Sequence, residues 1–245
     1  MFLVLANSYF QFKHFRIEQE HCAMKVCTDA CVLGAAAELA GATRILDIGT
    51  GTGLLALMAA QRNPQAVIEA VELDLAAAAQ AVANAARSPW ASRVTVHAQS
   101  LAQYAATTVP APFDHILCNP PFFRHSLRSP DAARTAARHT APDSLSFEEL
   151  AQVAAVLLTP AGQLTVLLPP PEMQHFEREA ALAGLFVGGR LRLRHRPGSK
   201  DLRHITTFTR QPQPLVSREL AMHEAGSEAY SADFRALLGD FYLAF

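Results

Sequence analysis

The sequence predicts an α/β fold built on a doubly wound, mostly parallel sheet. Three observations carry this. Short apolar runs alternate with helical stretches along most of the chain. One run passes directly into a glycine-rich turn and then a helix. Another, Asp114 to Cys118, is cut off by Asn119-Pro120-Pro121-Phe122. Proline cannot continue a strand ladder, so that strand must end at Asn119.

In order, residues 9–17 mostly alternate apolar with polar, and read as a short strand or hairpin with one buried face. A helix follows to about Leu39. Thr28 or Asp29 suits its cap, and equally suits a part in covering a bound cofactor. Arg44–Ile48 is a strand that enters Gly49-Thr50-Gly51-Thr52-Gly53, and Leu54–Gln61 continues as a helix. Glycines let the backbone turn tightly and approach a ligand, and the unit is Rossmann-like. The Gly-x-Gly-x-x-Ala of Gly51 to Ala56 is by itself a weak dinucleotide signal. Asp47 lies two residues before the first glycine, placed to meet a cationic amino group, and no second dinucleotide-binding half follows. Both points favour S-adenosylmethionine.

Ala66–Glu72 is the next strand. Glu72 lies about 20 residues past the turn, where a carboxylate takes both ribose hydroxyls. Asp74 is the alternative, or caps the alanine-rich helix at 75–86. Strands at Val94–His97, Asp114–Cys118 and Leu164–Leu168 and helices at Ser146–Leu158 and Glu172–Leu182 complete the alternation. Ser146 and Glu149 are spaced as a capping box. Leu185–Arg194 and Ile205–Thr209 suit an antiparallel hairpin. The glycine turn and the Asn119 strand should flank the switch point, where ligands bind in open α/β sheets.

The Asn119 rim has its own chemistry. The Asn119 amide oxygen and the Pro120 carbonyl are two acceptors, which suit one planar –NH2. Phe122 can lie against a flat group. The seat fits an exocyclic amine or a carboxamide, and the motif alone does not separate adenine from glutamine.

Length, a half-hydrophobic composition and a net charge of −1 suit one domain over 1–245. It has a short N-terminal strand and helix extension to about residue 40 and an appended segment from about 211 to 245. No run is long and apolar enough for a bilayer, and the start is no convincing signal peptide. Four cysteines without a C-x2-C pair read as packing residues, so no metal site and a reducing, cytoplasmic setting are expected. Two basic stretches are candidate RNA contacts: Arg124, Arg128 and their neighbours after the motif, and Arg194, Arg196, Lys200 and Arg203 in the late hairpin.

Narrower motifs run along the chain: Phe12-Lys13-x-Phe15, Cys22-Ala23-Met24-Lys25-Val26, Asp47-Ile48-Gly49, Ser88-Pro89-Trp90, Asn119-Pro120-Pro121-Phe122 and Phe241-Tyr242-Leu243. On these the chain resembles the bacterial methyltransferases that modify N6 of adenosine 37 in valine tRNA, within the class I S-adenosylmethionine-dependent methyltransferases. The resemblance implies S-adenosylmethionine as cofactor and a tRNA anticodon loop as partner. It implies Asn119, Pro120 and Phe122 as catalytic residues. Asp47, Gly49, Thr50, Gly51, Glu72, Ser100 and Asn119 would bind the cofactor. The family tends to have glycine at Cys27 and Ala30, and at Ser100 an aspartate that would hold the cofactor's adenine amino group. Serine accepts a hydrogen bond without charge, so adenine binding there falls to Ser100, backbone groups or Gln99. Protein glutamine N5-methylation and a silent RNA-binding scaffold of the same fold are the alternative readings.

Overall fold

The computed structural model describes residues 8–20, 22, 25–107, 111–120 and 145–245. Phe122, Arg124 and Arg128 lie outside the described residues. Among those described, the strands are β1 (Tyr9–Gln11), β2 (Arg16–Glu18), β3 (Arg44–Ile48), β4 (Val67–Glu72), β5 (Val94–Ala98) and β6 (Phe113–Cys118), followed by β7 (Leu158–Leu168), β8 (Phe186–Arg194), β9 (Asp201–Thr209) and β10 (Val216–Ala221). The helices are α1 (Thr28–Ala36), α2 (Leu54–Arg62), α3 (Leu75–Arg87), α4 (Leu101–Thr107), α5 (Phe147–Leu157), α6 (Pro170–Leu182) and α7 (Ala232–Leu238).

Eight strands form one sheet in the order β10-β8-β9-β7-β6-β3-β4-β5. Pairing is parallel except where β9 meets β7 and β8. This is the expected doubly wound sheet with an antiparallel hairpin. Its central strands read as continuous apolar runs because both faces are covered. Ile45, Ile68 and Leu117 face one core with α1 and α2. Leu46, Ile48 and Ile116 face the other with α4, α5 and α6. The period-2 alternation of a strand divides neighbouring residues between these layers.

The boundaries differ from expectation where local chemistry intervenes. β7 begins at Leu158 rather than Leu164, in spite of Pro160. A register shift against β6, between Phe113 and His115, absorbs the proline. Gly162 fits there because a Cβ would lie 2.8 Å from the Phe113 carbonyl oxygen. The cap of α1 is Cys27, with no side-chain cap bond, rather than Thr28 or Asp29. β9 starts at Asp201, earlier than Ile205, since ion pairs rather than apolar packing hold its polar opening.

β1 and β2 form a separate hairpin bolted to the far end of the chain. The Lys13 N–H donates to the Phe241 carbonyl at 2.9 Å. Its ammonium donates to the backbone oxygens of Gly239 at 2.5 Å and Phe245 at 2.7 Å. Phe12 stacks on Phe15, which meets Trp90 edge-on.

Candidate active site

β3 delivers the chain into a turn through Gly49, Gly51 and Gly53, at φ of 69°, 56° and 86°. These are left-handed conformations in which a Cβ is strained. A Cβ on Gly49 would meet nothing within 4 Å, so open space lies before the turn.

The turn spends its own donors. The N–H groups of Gly49 and Thr50 donate to the Val71 carbonyl, and that of Gly53 donates to Thr50. The Gly51 N–H donates to Glu72 Oε2 at 2.8 Å. A phosphate cradle needs such donors free. Here they are satisfied internally, and two carboxylates stand close by. The surroundings suit a cation.

Asp47 is wholly buried beneath the turn rather than in the cleft wall. Its Oδ2 accepts from the Thr50 hydroxyl at 2.5 Å and the Ala56 N–H at 3.1 Å. Its Oδ1 is buried without a partner. Burial pushes the carboxyl up to about 7, against the pull of those two hydrogen bonds and with added repulsion from Glu72. The expected ammonium partner is thus joined by a second role, fixing the turn, that the sequence reading missed.

Glu72 ends β4 beside the turn, and its Oε1 also accepts the Asp74 N–H at 2.9 Å. Asp74 caps α3, its Oδ1 accepting the Ala77 N–H at 2.8 Å. Ser100 stands at the head of α4 in a reciprocal capping box: Ser100 Oγ accepts from the Gln103 N–H, and Gln103 Oε1 from the Ser100 N–H. Its hydroxyl already serves a helix end.

Asn119 follows β6, whose Cys118 pairs with Ile48 of β3. This sets Asn119 next to Gly49 at the switch point. Its Oδ1 is buried and has no partner. From β6 to β5 the carboxyl edge therefore reads Asn119, Gly49, Glu72, Ser100.

A cleft lies between this turn, Asn119 and the stretch Lys25–Cys27 with Ala30. The two positions where the family tends to have glycine, Cys27 and Ala30, both line it. Burial, aided by Asp29, pushes the Cys27 thiol up to about 12, so it faces the cleft uncharged. Gln19 Oε1 accepts the Val26 N–H and holds this wall. Asn84 of α3 is buried; it donates to the carbonyls of Thr52 and Glu18 and so ties the turn to β2. Neither residue was expected; each is a single polar residue in an unremarkable setting.

The late basic residues lie at or near the same edge of the sheet, since β8 runs parallel to β7 through β9. Their charge is largely met within the chain. Arg194 pairs with Asp201 and Glu219, Arg196 with Glu228, and Arg203 with Asp29. Lys200 is exposed at the hairpin. The expected row of RNA-facing cations is thus mostly a row of ion pairs.

Comparison with known proteins agrees with this geometry. The model of the Methyltransferase small domain family matches residues 30–186. The chain is 42% identical over 242 residues to a protein of Dyadobacter fermentans, covering 98% of this chain and 99% of that one. It is 42% identical over 236 residues to one of Pseudoalteromonas translucida, covering 96% and 99%. Both are named tRNA1(Val) (adenine(37)-N6)-methyltransferase. Among solved structures, a protein of Agrobacterium tumefaciens described as a predicted O-methyltransferase superposes with a TM-score of 0.66 at 22% identity, covering 86% of this chain and 96% of that one. The ribosomal protein L11 methylase of Lactobacillus delbrueckii does so at 0.55 and 16% identity, covering 80% and 84%. These structures share the fold. By near-complete alignment with its relatives, the chain belongs to the bacterial tRNA1(Val) (adenine(37)-N6)-methyltransferase family.

Proposed function

We propose that the protein transfers a methyl group from S-adenosylmethionine to N6 of an adenosine in tRNA, at A37 of tRNA1(Val). The observation that carries this reading is the buried, partnerless Asn119 Oδ1 beside the glycine turn. A buried acceptor left unpaired costs about 1–3 kcal/mol. An –NH2 group in the seat would satisfy it.

The residues present fit the cofactor. The turn offers open space before Gly49 and no free phosphate-binding donors at Gly49, Thr50, Gly51 or Gly53. Asp47 Oδ1 is a buried unpaired acceptor that an ammonium reaching the turn would satisfy, Glu72 at the end of β4 would take ribose hydroxyls, and Ser100 just past β5 would face the adenine. When bound, S-adenosylmethionine supplies a methyl made electrophilic by a sulfonium.

The chain supplies alignment. Adenine N6 is a poor nucleophile because its lone pair is spread into the ring. Asn119 Oδ1 and the Pro120 carbonyl would accept hydrogen bonds from its two N–H groups, which leaves the lone pair pointing at the methyl; once the N6–methyl bond forms, one N6 proton is lost to water. Such positioning removes several kcal/mol of barrier, on the order of the entropy of assembling the reactants. By its place in the Asn-Pro-Pro-Phe motif, Phe122 would stack on the base, worth about 1–3 kcal/mol. An anticodon-loop base is already unpaired, so bringing it to the seat costs little.

The test is transfer of labelled methyl to tRNA lacking its own modification, followed by nucleoside analysis. N6-methyladenosine in a single tRNA species is expected. Label on protein instead of RNA would establish glutamine methylation, and no label with cofactor binding intact would overturn the catalytic reading.

A further inference from the structure

We infer that His195, His223 and Glu228 form a divalent-metal site, suited to Zn²⁺, that clasps the β8–β10 edge to the segment leading into α7. One ligand atom from each residue lies within 4.8 Å of the others. None belongs to the methyl-transfer site; β9 and β7 separate β8 from the Asn119 strand.

The backbone holds all three residues in place. Past the last pair of the β10–β8 ladder, Ala221 with Arg194, two backbone hydrogen bonds still join the segments. The Met222 N–H donates to the Arg194 carbonyl at 2.9 Å, and the His223 N–H to the His195 carbonyl at 3.0 Å. The two imidazoles meet with ring centroids 4.8 Å apart. Glu228 comes from a turn that folds back on the same strand end. A bridge between His223 and Tyr230 closes the turn, and Gly226 at φ 74° lets it bend. The Glu224 N–H donates to the Ala229 carbonyl within it.

The side chains are also oriented. Tyr230 stacks on the His223 ring, and His223 Nδ1 lies 2.9 Å from the Glu228 carbonyl oxygen. Arg196 holds one carboxylate oxygen of Glu228, Oε1. A carboxylate has a second oxygen to give.

Two imidazoles and a carboxylate are a donor set for Zn²⁺, with water in the fourth position. Tetrahedral zinc with bonds of about 2.0–2.2 Å needs its ligand atoms about 3.4 Å apart. The three ligand atoms must therefore draw together by up to about 1.4 Å, and Glu228, 81% exposed, can do so while its Oε1 stays with Arg196. Sequence spacing hides the site, because strand pairing rather than a local motif joins His195 to His223.

The experiment is calorimetric titration of the full chain, stripped with EDTA, with Zn²⁺. One equivalent should bind. His195→Ala and His223→Ala should each weaken binding more than tenfold. Cys27→Ser should leave it unchanged, since no cysteine belongs to the site. In the unaltered protein, the ring signals of His195 and His223 should shift together on zinc addition, a readout that needs no variant to fold. Failure to bind one equivalent, equal affinity in His223→Ala, or unmoved histidine signals would each overturn the site.

Discussion

Two oxygens without partners, Asp47 Oδ1 and Asn119 Oδ1, sit on adjacent strands at one end of the sheet. They predict separable defects. Asn119→Ala should cut turnover on the order of 10²-fold or more while cofactor affinity stays within a few-fold, as loss of positioning requires; equal turnover in a single-turnover assay would count against the assignment. Asp47 predicts a pH dependence. Burial raises its carboxyl in the folded protein, so the neutral form is favoured there below about pH 7. Between the unfolded value and that point the folded state holds the extra proton, and stability therefore declines as pH rises. An ammonium favours the ionised form, so cofactor binding expels the proton, and affinity should climb as pH rises towards about 7 and level off above it. Asp47→Asn should flatten that climb, which calorimetry at several pH values would register. The sequence puts Asp47 near the end of β3 and Asn119 just past β6, and the structure has them there because each follows an apolar strand run. It did not reveal that Asp47 also ties down Thr50 and Ala56, since those bonds depend on how the turn closes.

At the level of single elements, the turn and the head of α4 make distinct predictions. Gly49 is left-handed with nothing beside its Cβ position. Gly49→Ala should cost about 1–2 kcal/mol in urea unfolding through backbone strain alone. It should also weaken cofactor binding, because the added methyl projects into the open space. Ser100 is a helix cap, and aspartate caps equally well. Ser100→Asp should keep thermal stability and tighten cofactor binding; no change in affinity would leave Ser100 a cap alone. The helix behind it was missed because its seven residues are too few to display a helical period. β10 was missed for another reason. Most of its residues are exposed, so it carries no alternating apolar pattern. Buried central strands announce themselves; an exposed edge strand and a seven-residue helix do not.

Across the molecule, the question is how a chain of net charge −1 holds RNA. Arg194 is committed to Asp201 and Glu219, whereas Lys200 stands exposed at the hairpin. tRNA affinity should fall steeply with salt, and Lys200→Ala should reduce that slope by about one. Arg194→Ala should instead lower the melting temperature and leave the slope intact. A filter-binding series in increasing salt separates the two. The fold itself was legible because glycine, proline and apolar runs mark each central crossover. The ion-pair network was not, since β8, β9 and β10 bring those charges together from separate stretches of sequence. The Lys13 contacts carry one more consequence. The hairpin it anchors lies just ahead of the cleft wall at Lys25–Cys27, and its ammonium reaches backbone oxygens 226 and 232 residues away in sequence. Closing so long a loop is costly until the sheet between has brought its ends together, so the hairpin should seat late in folding, after the central strands have paired.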